Sequence, residues 1–400
     1  MMKRTLTLLF ALAVTAPLFA QTEVVVWHAY RGGEKTAFEK VVANYNASQN
    51  KVKVSTLAVP YDAFADKITA AVPRGKGPDI FIYAQDRLGG WIEAGKTIEP
   101  IDFYLDKATT DRYLPSTMQA MTYRKTTYGL PLNYKVMTMI YNKALVQDPP
   151  KTTGQLVALA KKLTNASAGR FGLAYWYSNW YYHAPLFNGF GGGVFGANGK
   201  PIVNNPANVK SIELLMKWVT KDKIVPAEPS TALIGSLFNE GKAAIVFSGP
   251  WFLEEVSPKI QYGLAMLPTI DEAGGKPMKP WITVEGVYIA APSNHKEESF
   301  DFAKYVTDTA AAKILALEGS QSPAIKAVYN DPQVAANPVL NAFRAQVENA
   351  IPMPNVPEMT MMWSPVTTAM NAIVHKALTP KAALDIAQKD VTEAISKLRK

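Results

Sequence analysis

The sequence predicts an α/β protein folded as two lobes with a cleft between them, and three observations lead there. The chain has 400 residues, more than the roughly 250–300 over which one hydrophobic core goes on growing. Its N-terminal part alternates strand-like and helix-like segments, the rhythm of parallel βαβ units. Its strands read as continuous apolar runs, which suits sheets covered on both faces. Composition agrees, with 48% hydrophobic and 19% charged residues, the proportions of a soluble globular chain.

Taken in order, Glu23–Trp27 opens as a strand. A helix follows from Glu34 to about Gln49, because Phe38, Val41, Val42 and Tyr45 recur at helical spacing. Val52–Val59 alternates as a strand, Tyr61–Val72 reads as a helix, and the Gly75–Asp79 turn leads to the strand Ile80–Tyr83. Asp86 and Arg87 are expected to face outward just before a Gly89-Gly90 turn. In a second α/β block, a helix over about Pro206–Lys221 precedes the strand Ala243–Phe247. A helix beginning at Asn294 carries Phe300, Phe302 and Tyr305, and a C-terminal helix keeps Leu384, Ala387, Val391, Ala394 and Leu398 on one face. Breaks near Gly129–Asn133, Asp271–Pro280 and Asn330–Pro338 suit a chain that crosses between lobes more than once.

Residues 1–20 have the layout of a secretory signal peptide. Lys3 and Arg4 precede an apolar run that ends in Ala16-Pro17-Leu18-Phe19-Ala20, which predicts cleavage after about Ala20. The chain holds no cysteine, so neither disulfides nor a lipid-attached N-terminal cysteine is expected. No segment after the leader reaches the ~18 apolar residues of a spanning helix. The net charge of +9 comes from scattered Lys and Arg, which reads as a solvated surface rather than a nucleic-acid footprint. The expected location is therefore periplasmic, without a lipid anchor.

Enzyme chemistry finds little support. His28, His183, His295 and His375 are spread out, none in a metal-ligand spacing, and no metal or cofactor is expected. Gly189-Phe190-Gly191-Gly192-Gly193 reads as a turn, Glu254-Glu255 and Glu297-Glu298 as exposed helix charges, and no GxSxG elbow occurs. Aromatics are in surplus instead. Tyr175-Trp176-Tyr177-Ser178-Asn179-Trp180-Tyr181-Tyr182 holds six of them in eight residues, and Trp251 and Trp363 each adjoin turn-type sequence. Flat apolar rings with polar tips suit sugars, whose ring faces stack while their hydroxyls bond to planar groups. The run therefore reads as a ligand wall in preference to core.

Several segments, in order along the whole mature chain, resemble the maltose/maltodextrin-binding proteins of ABC importers. They are Gly77–Gly95, Tyr141-Asn142-Lys143 with Pro149–Thr152, Phe238–Ala244 leading to Gly249-Pro250-Trp251, Tyr262-Gly263 through Leu267-Pro268, Met353–Pro357 and Trp363. The resemblance implies a two-lobed periplasmic-binding-protein type II fold. Each lobe would be a mostly parallel sheet flanked by helices, with several hinge crossings. It implies lobes of residues 21–133 with 284–332, and 134–283 with 333–400. It implies Tyr83 as a sugar-stacking ring, Asp86 and Arg87 as a hydroxyl-binding pair, and Tyr181 as a stacking and hydrogen-bonding tyrosine. Trp251 and Trp363 would line successive glucose units, with Ala84 and Met353 as cleft wall.

The departures lie on the polar edge. Lys135 stands where the resembled pattern has a carboxylate, Tyr30-Arg31-Gly32 where it has an acidic-basic pair, Asn179 where it has a glutamate, and Thr367 where it has an arginine. Arg31 and Lys135 beside Arg87 raise an acidic oligosaccharide as an alternative, with trehalose and sucrose as others. The reading is a monomeric protein that binds malto-oligosaccharide by hinge closure and delivers it to permease subunits. A carbohydrate-acting enzyme and a ligand-free scaffold are the rivals from other classes.

Overall fold

The computed structural model describes residues 21–398, so the expected leader lies outside the described residues. Two sheets organise the chain. In the first, the order is Ser322–Pro323, Gly129–Val136, Trp281–Ile289, Ile80–Ala84, Thr22–His28, Val52–Ala58. Thr22–His28, Val52–Ala58, Ile80–Ala84 and Gly129–Val136 run one way, and Trp281–Ile289 is inserted against them. In the second, Tyr262–Ala265, Ala243–Ser248 and Phe171–Ala174 share a direction opposed by Thr138–Asn142. Each lobe is thus a mostly parallel sheet flanked by helices, as expected.

The helix Gly32–Ser48 forms where its apolar stripe predicts, burying Ala37, Phe38, Val41, Val42 and Tyr45 against the first sheet. Tyr61–Ala71 buries Phe64, Ala65 and Ile68. In the second lobe the core gathers on Trp180, Phe187, Leu215 and Trp218. The C-terminal helix Pro380–Leu398 buries Ala383, Leu384, Ala387, Val391 and Ile395, and leaves Leu398 exposed. Among the described residues no helix is long and apolar enough to cross a membrane.

Three local expectations are corrected. Gly89 and Gly90 lie inside the helix Leu88–Ala94 rather than in a turn. The small side is needed for packing: Gly89 N–H donates to Asn355 O at 2.9 Å, and a Cβ there would strike Asn355 and Pro357. Asp86 does not face outward; it is buried at the start of that helix. Gly129–Asn133 is not a break, for it begins the central strand Gly129–Val136. Pro131 is tolerated there because the ladder shifts register between Glu285 and Gly286, opposite it.

The sheets are joined by few crossings, and these frame the site. Gly129–Val136 leaves the first sheet and, after Met137, continues as Thr138–Asn142 in the second. Trp281–Ile289, buried along its whole length, carries the chain back. The helix Pro338–Val347 packs against strands of both sheets, and its Gln346 accepts a hydrogen bond from Leu267 N–H at 2.7 Å. Ile351–Pro352 then pairs with Trp281–Ile282, and Pro357–Thr360 lies against Leu88–Ala94. Finally Trp363–Val374 packs on the C-terminal helix of the second lobe.

Candidate functional site

The strand Ile80–Ala84 ends at the junction of the two sheets and delivers Ala84, Gln85, Asp86 and Arg87 to it. Gln85 ties this end to two crossings. Its side-chain oxygen accepts from Val284 N–H at 2.7 Å and its amide donates to Met353 O at 3.1 Å. Ala84 and Met353 are both buried in this seam. Asp86 lies 3.4 Å from the Arg87 guanidinium. Burial pushes the Asp86 carboxyl up to about 6, against the pull of Arg87 and of the Trp363 ring N–H that faces it.

Facing this edge, the second lobe presents an aromatic ledge. Trp251 stands on the turn Pro250–Glu255, and its ring N–H donates to the Tyr182 hydroxyl at 3.0 Å. Tyr181 lies 6.0 Å from Trp251 and 6.1 Å from Trp281, which meets Trp363 edge-on at 6.0 Å. The rings of Tyr181, Tyr182, Trp251 and Trp363 are all partly accessible. Burial raises the Tyr181 hydroxyl above its ordinary value although it faces Thr283, so it stays a neutral donor.

The aromatic run therefore divides. Tyr181 and Tyr182 reach the ledge, whereas Tyr175, Tyr177 and Trp180 are core. Trp180 stacks on Phe187 at 4.2 Å, because residues seven apart share a helix face in Trp180–Gly189. It cannot reach a ligand, which corrects its assignment to the wall. Asn179 caps the same helix, its side-chain oxygen accepting from Tyr181 N–H at 2.9 Å.

The first-lobe floor also differs from expectation. Lys135 is committed to an internal triad, with its ammonium 2.8 Å from Glu34 and 3.1 Å from Glu285. Burial opposes its charge, but Glu285 and Glu34 outweigh that and raise its pKa. For Glu34 the balance is the reverse, burial raising its pKa against the pull of Lys135. Tyr30 is buried and donates its hydroxyl to Glu285 at 2.9 Å, and the Asn133 amide donates to the same oxygen at 2.9 Å. Arg31 reaches the other lobe and meets Glu255 at 2.6 Å. Glu255 is exposed on a helical turn as expected, but Glu254 and Glu255 are both partnered across the cleft. Lys135, the buried cation invoked for an acidic sugar, is already held by two carboxylates, and Arg31 is paired with Glu255, which weakens that argument.

Tyr83 is 5% exposed and stacks on Phe64 at 5.1 Å, with Tyr61 also stacked on it at 5.1 Å. Its ring faces are occupied. Tyr61, 53% exposed, is the accessible ring of this group, and sequence reasoning missed it. Glu34 and Glu285 were missed as well, though both left a signal. Glu34 lies four residues before Phe38 on the buried stripe, and Glu285 is the one charged residue in the buried strand Trp281–Ile289. Among the described residues no cluster of His, Asp and Glu could hold a metal ion.

Comparison with known proteins now decides the family. Residues 31–313 match the family described as bacterial extracellular solute-binding protein. The chain belongs to that family. A maltotriose-binding protein of Pyrococcus abyssi is 30% identical over 88% of this chain and 77% of its own length. A galactooligosaccharide-binding protein of Bacillus subtilis is 30% identical over 91% of this chain and 87% of its own. The Thermus thermophilus maltotriose binding protein bound with maltotriose superposes with a TM-score of 0.84 at 26% identity, covering 93% of this chain and all of that one. The maltose/maltodextrin-binding domain MalE from Bdellovibrio bacteriovorus superposes at 0.87 with 24% identity over 94% of this chain, a likeness of fold.

Proposed function

We propose that this solute-binding protein captures malto-oligosaccharide between its lobes and hands it to the permease subunits of an ABC importer. The observation that carries the reading is the pairing of an accessible aromatic ledge, Tyr181, Trp251 and Trp363, with the Asp86–Arg87 edge across one cleft. Rings stack the sugar faces while the carboxylate and guanidinium take hydroxyls. In this reading the lobes are residues 21–133 with 284–332 and 134–283 with 333–400, flexing at the crossings beside Asn133, Ile282–Glu285 and Asn330–Pro338. Sugar stabilises the closed form by contacting both walls at once. The protein acts in the periplasm as a monomer, without a cofactor, and turns nothing over. Tyr61 supplies the first-lobe ring in place of the buried Tyr83.

The test is thermal unfolding of residues 21–400 with glucose, maltose, maltotriose, trehalose, sucrose, a galacto-oligosaccharide and galacturonate oligomers. A ligand at 100 times its Kd stabilises by about 2.7 kcal/mol, a shift of a few degrees in a protein of this size. Maltotriose is expected to give it. The named Bacillus relative makes a galacto-oligosaccharide the second reading, and a shift with that sugar alone would select it. Products from maltodextrin on prolonged incubation would instead mark an enzyme.

A further inference from the structure

The helix Gly32–Ser48 of the first lobe begins without a cap of its own, since the Arg31 side chain makes no capping hydrogen bond. The acceptor comes from the other lobe. Gly33 N–H donates to Glu254 Oε2 at 2.9 Å across 221 residues of sequence. Beside it Arg31 pairs with Glu255 at 2.6 Å. Both carboxylates stand on the turn Pro250–Glu255, which also carries Trp251. We propose that Glu254 is a positioning residue for sugar binding: it clasps the first-lobe helix, holds the cleft closed, and fixes the turn that presents Trp251, without touching the sugar.

The chemistry favours this division of labour. A carboxylate at the first turn of a helix meets both unsatisfied N–H groups and the positive end of the helix dipole. The bond exists only when the lobes are together, so it belongs to the closed form alone and shifts the equilibrium toward it. The Arg31–Glu255 pair is exposed on both sides and adds little by itself. Gly33 is fitted to the contact, because a Cβ there would collide with the Glu254 carboxylate. Its backbone is otherwise free of the positive φ that demands glycine, so alanine at this position suits the helix and burdens only the closed form.

The inference rests on the sugar-binding reading, and its test has an arm that does not need sugar. The chain lacks cysteine, so Lys51→Cys and Lys221→Cys, one on each lobe, accept a fluorescent pair for energy transfer. Glu254→Ala and Gly33→Ala should each move the sugar-free population toward the open distance. Each should also weaken maltotriose binding about fivefold, the worth of one helix cap. The double variant should weaken it no further than either single one, and Glu254→Gln, which keeps an acceptor, should recover part of the loss. Helical stability should hold in Gly33→Ala, which separates lost closure from lost folding. Distances and affinities unchanged in both single variants, or losses that simply add, would overturn the clasp. Absence of maltotriose binding in the unmodified protein would defeat the sugar reading alone, since the energy-transfer arm still decides the clasp.

Discussion

The two walls of the cleft are built by opposite means. The second-lobe wall is a ledge of partly accessible rings, Tyr181, Tyr182, Trp251 and Trp363, with few charges among them. The first-lobe wall is a buried polar lattice in which Glu34, Lys135, Glu285, Tyr30 and Asn133 bond to one another. Rings give up little when they exchange water for a sugar face, so they can wait uncovered. Buried charges cannot wait unpaired. The difference explains why residues that look like ligand contacts in the sequence divide into two groups. Rings on the ledge stay available, whereas Lys135, Glu34 and Glu285 on the floor are spent on the fold and only the Asp86–Arg87 edge is left for hydroxyls.

The comparison is broken most forcefully by substitutions that should injure folding. Lys135→Met leaves Glu34 and Glu285 facing each other in the interior, and should cost about 3–5 kcal/mol of stability, read by urea unfolding. Its order of sugar preference should be unchanged; a changed preference at full stability would return Lys135 to the ligand. Trp180→Ala should cost a similar ~3–5 kcal/mol, as for any large ring removed from a core.

On the ledge the balance should reverse. Trp251→Ala and Trp363→Ala should each weaken maltotriose binding by about 1–3 kcal/mol, measured by calorimetric titration, with melting little altered. Tyr61→Ala should show a smaller loss, about 0.5–1.5 kcal/mol, while Tyr83→Ala should act mainly on stability. Equal affinities for unmodified protein and Tyr61→Ala would remove Tyr61 from the site.

Asp86 gives the finest test because stability and binding respond to pH with opposite signs. Burial raises its carboxyl to about 6 in the fold, so its contribution to stability is full below its ordinary pKa and lost as pH rises through about 6. Binding that uses the ionised carboxylate as a hydroxyl acceptor should instead strengthen over the same rise. Below about 6 the affinity should fall by up to about tenfold per pH unit, and Asp86→Asn should flatten that profile.

Much of the architecture was legible because local pattern and tertiary packing agree. The stripe Phe38, Val41, Val42, Tyr45 is a helix face whatever it packs on, and Glu23–Trp27 is a strand by its apolar run. Gly89-Gly90 misled because the same residues serve a turn and a close helix contact, and only the Asn355–Pro357 segment, far along the chain, decides between them. Pro131 misled because a bulge in its own strand, where Leu132 is passed over between the pairs at Asn133 and Pro131, excuses it. The resemblance implied Trp251 and Trp363 as sugar-lining rings and both are partly accessible, yet Trp180, one residue from Tyr181, belongs to the core. Helical phase separates those neighbours, and the helix start at Asn179 sets that phase. Lys135 and Arg31 were read as free cations because their partners, Glu34, Glu285 and Glu255, are distant in sequence.

The most direct measurement is a crystal structure of residues 21–400 with maltotriose. The account predicts glucose rings laid on Trp251 and Trp363, hydroxyls bonded to Asp86 and Arg87, and Lys135 still held by Glu34 and Glu285. Sugar bound elsewhere, or a cleft without sugar at saturating maltotriose, would contradict it.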